Sequence, residues 1–393
     1  MNHDNSIVIQ AQSIKDEIIK NRRWFHSHPE LGYEEVETST FIKNYLTDLG
    51  LEVKTGIAET GVIAVLKGDL PGNTILLRAD IDALPIMEGY ESDYKSKKDG
   101  RMHACGHDTH MAILLGSAKL LVNNRSKLKG TVKFIFQPAE ELSTGAQGMI
   151  DEGVMKNPDV DIAAALHIFT DIESGTIELK EGVMMASMDE FEIKILGKGG
   201  HGSYPQNTID PIITGAQLVT ALQTIVSRRI SPLAGAVVSV CQFIAGTKSN
   251  IIPQSSFLNG TIRCFDALVR ATIIKQLEVI TQGICSSAGA DYELKIKPFV
   301  PVVVNHKEIL MDFVRCTSDI LDKDKIMIMD KPKTYSEDFS YFANEVPSVF
   351  FILGTKNLEK DCIHPVHSPD FKVDEDVLPL GAAIFTNFCL NRC

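Results

Sequence analysis

The eleven residues Met102–Ala112, Met-His-Ala-Cys-Gly-His-Asp-Thr-His-Met-Ala, constrain this chain more than any other stretch. They gather His103, Cys105, His107 and His110 around Gly106, with the carboxylate of Asp108 among them. A thiolate and an imidazole two residues apart can grip one metal ion, because both are good ligands on a short, bendable loop. Only 11 histidines occur in 393 residues, so three of them beside a cysteine are poorly explained by chance. A closed structural zinc knuckle would need a second close Cys or His pair, and the sequence contains no Cys-x-x-Cys. The expectation is a metal site with open coordination, as catalysis requires.

A chain of 393 residues exceeds one ordinary core and predicts two domains. Its net charge of −12, without a Lys/Arg block, argues against nucleic acid as a partner. No apolar run reaches the roughly 18 to 20 residues that span a bilayer, so no membrane partner is expected. The start, Met-Asn-His-Asp-Asn-Ser, lacks the basic and apolar regions of a secretory signal, which makes the expected setting cytoplasmic. Eight scattered cysteines show no disulfide spacing, and reduced thiols are expected.

Along the chain, Gln12–Leu49 reads as two helices around a turn at His28-Pro29-Glu30-Leu31-Gly32. Strands are expected at Gly61–Lys67, Thr74–Arg78, Thr131–Gln137 and Ile162–His167, with a helix at His110–Asn123. That alternation predicts an open α/β sheet. Near Met184–Asp189 the texture changes. Glu190–Leu196 alternates polar and apolar residues, as a strand with one exposed face does. A helix at Pro211–Arg228, strands at Ala236–Ala245 and Ser256–Cys264, a helix at Asp266–Ala288 and a strand at Tyr292–Lys297 complete a compact α+β sandwich. After it, Pro301–Cys393 returns to buried strands, including Ser348–Leu353, and amphipathic helices. The expected fold class is an α/β catalytic domain with a mixed sheet (1–186 and 300–393), interrupted by a smaller α+β sandwich at 187–299.

Several further groups carry chemistry. Asp80 and Asp82 follow an apolar strand at i, i+2, which in extended backbone puts both on one side. Alone, such a pair is more often turn chemistry; with the Cys/His cluster downstream it reads as part of a site. Gln137-Pro138-Ala139-Glu140-Glu141 ends another strand, and adjacent extended residues point to opposite sides. One glutamate can then bind a metal while its neighbour serves as general base. His167 ends a third apolar strand, and His364 and His367 lie between prolines in a fixed loop. Cys105, His107, one glutamate, His167 and one C-terminal histidine would supply five ligands, enough for two metals. In the sandwich segment, Gly197-Lys198-Gly199-Gly200-His201-Gly202-Ser203 has no phosphate-loop order and reads as a tight turn presenting an imidazole. Asn250 and Arg263 follow, the latter a residue type suited to a substrate carboxylate.

Together these motifs resemble the amidohydrolase branch of the two-metal aminoacylase and carboxypeptidase family. The resemblance runs through His28–Gly32, Arg78–Pro85, Met102–His110, Gln137–Glu141, Gly197–His201, Asn250–Pro253, Ser336-Glu337-Asp338-Phe339 and His367-Ser368-Pro369. It implies metal ligands at Cys105, His107, Glu141, His167 and His367, with Glu140 as general base and acid. It gives Asp80 a catalytic position and lets Asp82 orient its neighbours. His201 matches an inserted-domain histidine that stabilises the oxyanion, often across a dimer, and Asn250 and Arg263 match groups that hold the substrate's carboxylate end. One departure stands out: many relatives place a histidine ligand where this chain has Asp80.

The implied function is hydrolysis of N-acyl-L-amino acids, such as hippurate or N-acetyl-amino acids, by two divalent ions per subunit. Manganese or zinc, or else cobalt or nickel, suits a site softened by a thiolate. A deacetylase of N-acetyldiaminopimelate is the alternative within the family. A thiol amidase using Cys105 as nucleophile would leave the glutamates and distant histidines idle. A binding protein without activity fits poorly, because every expected catalytic position is filled. The resemblance also implies a homodimer or higher homo-oligomer through the inserted lid/dimerisation domain.

Overall fold

The computed structural model describes residues 6–297 and 300–392. The first five residues, Cys393 and the expected domain boundary at residue 299 lie outside them. Three helices come first: α1 (Ser6–Ser13), α2 (Lys15–Ser27) and α3 (Val36–Asp48). Strands β1 (Glu52–Ile57), β2 (Gly61–Lys67) and β3 (Leu70–Asp80) follow. Next are α4 (His107–Asn123), β4 (Lys129–Gln137), α5 (Gly145–Asp151), β5 (Ile162–Glu173), β6 (Ile177–Leu179) and β7 (Gly182–Met185). The middle of the chain holds β8 (Ser187–Leu196), β9 (Gly200–His201), α6 (Pro211–Leu222) and β10 (Ala236–Ala245). It continues with β11 (Ile251–Ile252), β12 (Ser255–Cys264), α7 (Ala267–Ala288) and β13 (Asp291–Ile296). The last part holds β14 (Val303–Asn305), α8 (Lys307–Ser318), β15 (Ile326–Ile328), α9 (Ser340–Glu345), β16 (Ser348–Lys356) and α10 (Leu378–Arg392).

These elements form two compact units, one of residues 1–184, 304–331 and 338–393, the other of 185–303 and 332–337. The first contains an eight-stranded sheet ordered β1-β2-β4-β3-β5-β16-β6-β15. Strands β4, β3, β5 and β16 run parallel, whereas β1 and β2 are antiparallel to their neighbours, so the sheet is mixed. The chain leaves β3 toward β4 and leaves β5 toward the opposite side. In α/β sheets such a divergence opens a crevice at the carboxyl ends of the strands. Helix α4 is apolar nearly all round and buried along most of its length, packed on β3 and against α2 and α10. Ile75, Leu77, Phe134 and Phe136 of the sheet and Ile113, Leu114 and Phe385 of the helices are at most 1% exposed. Burying each such side chain contributes roughly 1.5–3 kcal/mol.

The second unit has a four-stranded antiparallel sheet ordered β10-β12-β8-β13. Phe191, Ile193 and Ile195 of β8 are buried with Leu218 and Leu222 of α6 and Ile273 and Leu277 of α7. The intervening β8 residues are less buried, as the alternation requires. Residues 332–337 join this unit because the amide of Ala186 donates to the carbonyls of Lys333 and Tyr335. No periodicity near Pro332 could have signalled that.

The two helices expected in Gln12–Leu49 are α2 and α3, on either side of the His28–Gly32 turn, with α1 preceding them. Three element expectations need correction. Helix α4 begins at His107, three residues early, which places that histidine in its first turn. The helix expected at 211–228 ends at Leu222, and a wider turn covers Ile225–Arg229, where branched Thr224, Ile225 and Val226 crowd the backbone. A two-stranded ribbon, β9 with β11, was not expected; strands of two residues give no periodic signal. Among the described residues no helix is long and apolar enough to cross a membrane. The seven described cysteines are free.

Candidate metal centre

The crevice at the ends of β3, β4 and β5 collects the first unit's candidate residues. Asp80 ends β3 and Asp82 follows it; Glu140 and Glu141 lie just past β4. His167 sits on β5 just beyond its pairing with β3. Cys105 and His107 flank Gly106, whose φ of 87° turns the chain into α4. A Cβ on Gly106 would approach Ile168 Cδ1 to 2.6 Å, so the turn needs glycine twice over. His367 is delivered by the distant loop after β16, its amide donating to the carbonyl of Ala104 at 2.7 Å.

Cys105 Sγ is the hub of this arrangement. It lies 3.4 Å from His167 Nε2 and 3.3 Å from His367 Nε2. Cys105, His107 and His167 form one possible ligand group, and Cys105, Glu141 and His367 a second, so the sulfur is common to both. The ring orientations suit ligation. Nδ1–H of His107 donates to the carbonyl of Asp82 at 2.9 Å, and Nδ1–H of His167 donates to that of Ile168 at 2.7 Å. A carbonyl can only accept, so both rings keep their Nε2 lone pairs for a cation.

Two buried atoms indicate what the site holds. Among the described residues neither His107 Nε2 nor Glu141 Oε1 makes a well-formed hydrogen bond; they stand 4.0 Å apart, with Asp80 Oδ2 3.6 Å from the imidazole nitrogen and His367 Nε2 3.3 Å from the carboxylate oxygen. Orphaned buried polar atoms are costly unless something else satisfies them. Burial, then Glu141, Glu140 and Asp80, push the Cys105 thiol well above its ordinary range. A thiolate there needs a cation, and without one the sulfur is a poor nucleophile. Burial disfavours the His107 imidazolium, but Asp80 and Asp82 outweigh it and raise the pKa to about 10. This surplus of negative charge, with soft and hard donors together, fits a pair of divalent cations.

A third group, Asp80 with His107 and His110, also meets the distances for a metal. Its hydrogen bonds exclude it. His110 Nδ1–H donates to Asp80 Oδ1 at 2.6 Å, and its Nε2 accepts the amide of Ile168 at 3.1 Å, which leaves the ring no free lone pair. The other oxygen of Asp80 accepts from Arg78 Nη1 at 2.8 Å. Buried Arg78 also donates to Gln137 Oε1 and to Asp338 Oδ1, at 2.8 and 2.9 Å. Burial alone would raise the Asp80 pKa, but His107, His110 and Arg78 hold it well below the usual carboxylate range. Sequence reasoning gave no roles to Arg78 or Asp338, and made His110 a base only in the rival thiol-amidase reading. A charge inside the apolar run Thr-Ile-Leu-Leu-Arg was the available signal, since a buried arginine must find acids.

The remaining candidates belong to the second unit. His201 and Asn250 share its small ribbon: His201 pairs with Ile251, and the amide of Gly202 donates to the carbonyl of Asn250 at 2.9 Å. His201 is exposed, and its Nδ1 accepts the amide of Ser203 at 3.1 Å, which puts the ring proton on Nε2 as an outward donor. Arg263, half-buried on β12, donates to Ser336 Oγ at 2.9 Å and has no carboxylate partner among the described residues.

The comparisons with known proteins agree with this chemistry. The family described as "Peptidase family M20/M25/M40" matches residues 76–391. A thermostable carboxypeptidase of Saccharolobus solfataricus is 43% identical over 376 residues, covering 95% of this chain and 94% of its own length. An N-acetylcysteine deacetylase of Bacillus subtilis is 40% identical, with 95% of this chain and 96% of the relative covered. A Bacillus subtilis crystal structure described as a dinuclear metal-binding peptidase of the M20 family superposes with a TM-score of 0.82 at 35% identity, covering 96% and 98% of the two chains.

Proposed function

We infer that this chain, which belongs to peptidase family M20/M25/M40, is a metal-dependent amidohydrolase that converts N-acyl-L-amino acids to a carboxylic acid and a free amino acid. The observation that carries the reading is the paired ligand set sharing Cys105, with Glu140 beside it. The deacetylase and carboxypeptidase relatives support one bond class. Each name denotes cleavage between an acyl carbon and the nitrogen of an amino acid.

Cys105, His107 and His167 are assigned to one cation and Cys105, Glu141 and His367 to the other. When bound, the cations supply Lewis acidity to the acyl carbonyl and to an attacking water. Glu140 removes the proton from that water and returns it to the leaving nitrogen. Asp80 acts as a positioning residue, since both its oxygens are committed to Arg78 and His110. Asp82 holds His107 and accepts the amide of Glu141 at 3.0 Å. The outward Nε2–H of His201 suits a developing oxyanion, and Asn250 and Arg263 suit the substrate carboxylate.

For the finer assignments we favour manganese or zinc over cobalt or nickel, hippurate and N-acetyl-amino acids as substrates, and a cytoplasmic setting that keeps the thiols reduced. A homodimer through the second unit is supported by exposed Ile212 and Ile213 on α6 and Phe243 and Ile244 on edge strand β10. The deciding experiment assays N-acetyl-, N-benzoyl- and indole-acetyl-amino acids with manganese and with zinc, before and after chelation. Activity abolished by EDTA and restored by metal is expected. Activity that survives EDTA and falls to iodoacetamide at pH 7 would instead favour a thiol amidase.

A further inference from the structure

The motif His28–Gly32 and the residues after it have no part in the site as described so far, yet they reach the turn that carries both glutamates. Glu35 occupies the N-cap position of α3 but makes no cap hydrogen bond to its own helix. Glu30 caps that helix instead, accepting the amides of Glu37 at 3.2 Å and Thr38 at 2.9 Å. The Glu35 side chain is thereby released inward, where it is fully buried. Its Oε2 accepts the hydroxyl of Thr60 at 2.6 Å and its Oε1 accepts the amide of Ala139 at 3.0 Å.

Ala139 is an unusual place for such a hydrogen bond. Its φ is 51°, a left-handed conformation that costs an alanine about 1–2 kcal/mol. Strain of this kind persists where surroundings over-determine the backbone, and it concentrates at functional sites. Two such constraints are visible. A Cβ on Gly32 would come within 3.1 Å of Ala139 Cα, so the His28–Gly32 turn packs tightly beneath it and a larger residue would crowd it. Asp82 takes the amide of Glu141, so carboxyl groups from two separate elements hold the amides of the residues before and after Glu140. Among the described residues Glu35 makes no salt bridge, and a buried acid without a cation does little for stability. Burial, and to a lesser degree Asp82, push its pKa up to about 7 against the Thr60 hydrogen bond.

We propose that Glu35 is a positioning residue for catalysis: by fixing the left-handed peptide at Ala139 it aims Glu140 at the attacking water and sets Glu141 for ligation. The proposal rests on the reading of Glu140 as base and Glu141 as ligand. Both strained turn and buried acid then have one purpose, to hold a half-buried base in a single orientation while the substrate reacts.

The test compares Glu35→Ala, Glu35→Gln and Glu140→Gln in the metal-loaded enzyme, with an N-acetyl-amino acid as substrate. Glu35→Ala should lower kcat about 10²-fold, the scale of a misplaced catalytic group, with KM nearly unchanged. Glu35→Gln keeps an oxygen for the Ala139 amide and can donate to Thr60, so it should restore most of kcat. A role confined to stability would lower the melting temperature of Glu35→Ala and leave kcat untouched well below it; that result overturns the proposal. So does a Gln variant as impaired in kcat as the Ala variant. If Glu140→Gln turns over normally, the assignment of the base fails. An inactive Glu140→Gln beside a fully active Glu35→Ala sinks the positioning role alone. Should Glu35→Ala fail to fold, Thr60→Val removes the hydroxyl that orients Glu35, and an unchanged kcat there is equally fatal.

Discussion

Arg78 and Arg263 both stand near the ends of strands, one in each unit, and they are held in opposite ways. Arg78 is 1% exposed and its guanidinium is matched by Asp80, Asp338 and the side-chain oxygen Oε1 of Gln137. Arg263 is half-buried and, among the described residues, meets a hydroxyl, a carbonyl and a thioether but no acid. Burial with acids on hand locks a charge into the scaffold; partial burial without one leaves it receptive to an anion from outside. The same contrast extends to the histidines. His107 and His167 are buried with Nδ1 fixed by carbonyls, whereas His201 is exposed on a ribbon of two-residue strands. On the proposed reading, the first unit's donors are fixed and buried, and the second unit's are left open.

The sharpest way to break that comparison is Glu140→Gln, with the largest expected effect. The amide cannot take a proton, so turnover should fall by about 10³-fold or more while the metals remain bound. Turnover within tenfold of the parent would remove Glu140 as base. Next comes Cys105→Ala, which deletes the donor common to both ligand groups. Metal content and activity should fall together, because each cation loses a ligand. A variant that purifies with two metals per subunit by elemental analysis would show that the sulfur is no ligand.

The same contrast decides how much the sequence revealed. The cluster of candidate donors was legible because its residues fall at the ends of apolar strands, where the strand order of an α/β sheet puts ligands. Cys105, His107, Glu141, His167 and His367 are brought together as the motifs implied. Glu35 was hidden for a physical reason: it follows a helix-start pattern, in which an acid ordinarily caps or faces water. Only the exchange of capping duty with Glu30 sends it inward, and no periodicity encodes that. The β9–β11 ribbon was hidden because two-residue strands carry no alternation. In the second unit the long alternating strands were clear, but the partners of His201 and Arg263 depend on loops whose course the pattern leaves open.

His201→Ala sharpens the comparison from the exposed side. Removing an oxyanion donor typically costs about 10²- to 10³-fold in kcat. That fall is expected here with the metal complement intact, since His201 belongs to neither ligand group. An unchanged kcat would make it a histidine of the β9–β11 ribbon with no part in catalysis.

The smallest effect, and the most direct test of the two arginines, comes from replacing each by alanine. Arg263→Ala should raise KM by about 10- to 10²-fold, the worth of a charge-assisted hydrogen bond to the substrate carboxylate, with kcat and stability little changed. Arg78→Ala should do the reverse. It strips the buried Asp80 and Asp338 of their shared cation, which costs roughly 3–5 kcal/mol of folding stability. Chemical denaturation separates the two readily, and the KM of amides of N-acyl amino acids, which lack the carboxylate, supplies a control. For those substrates Arg263→Ala should differ little from the parent, because the guanidinium has no anion to lose. If instead both substrate forms weaken equally, Arg263 is packing for the loop at Thr334–Ser336. If Arg263→Ala unfolds the protein as readily as Arg78→Ala, the two arginines are alike after all and the contrast between the units is only one of exposure.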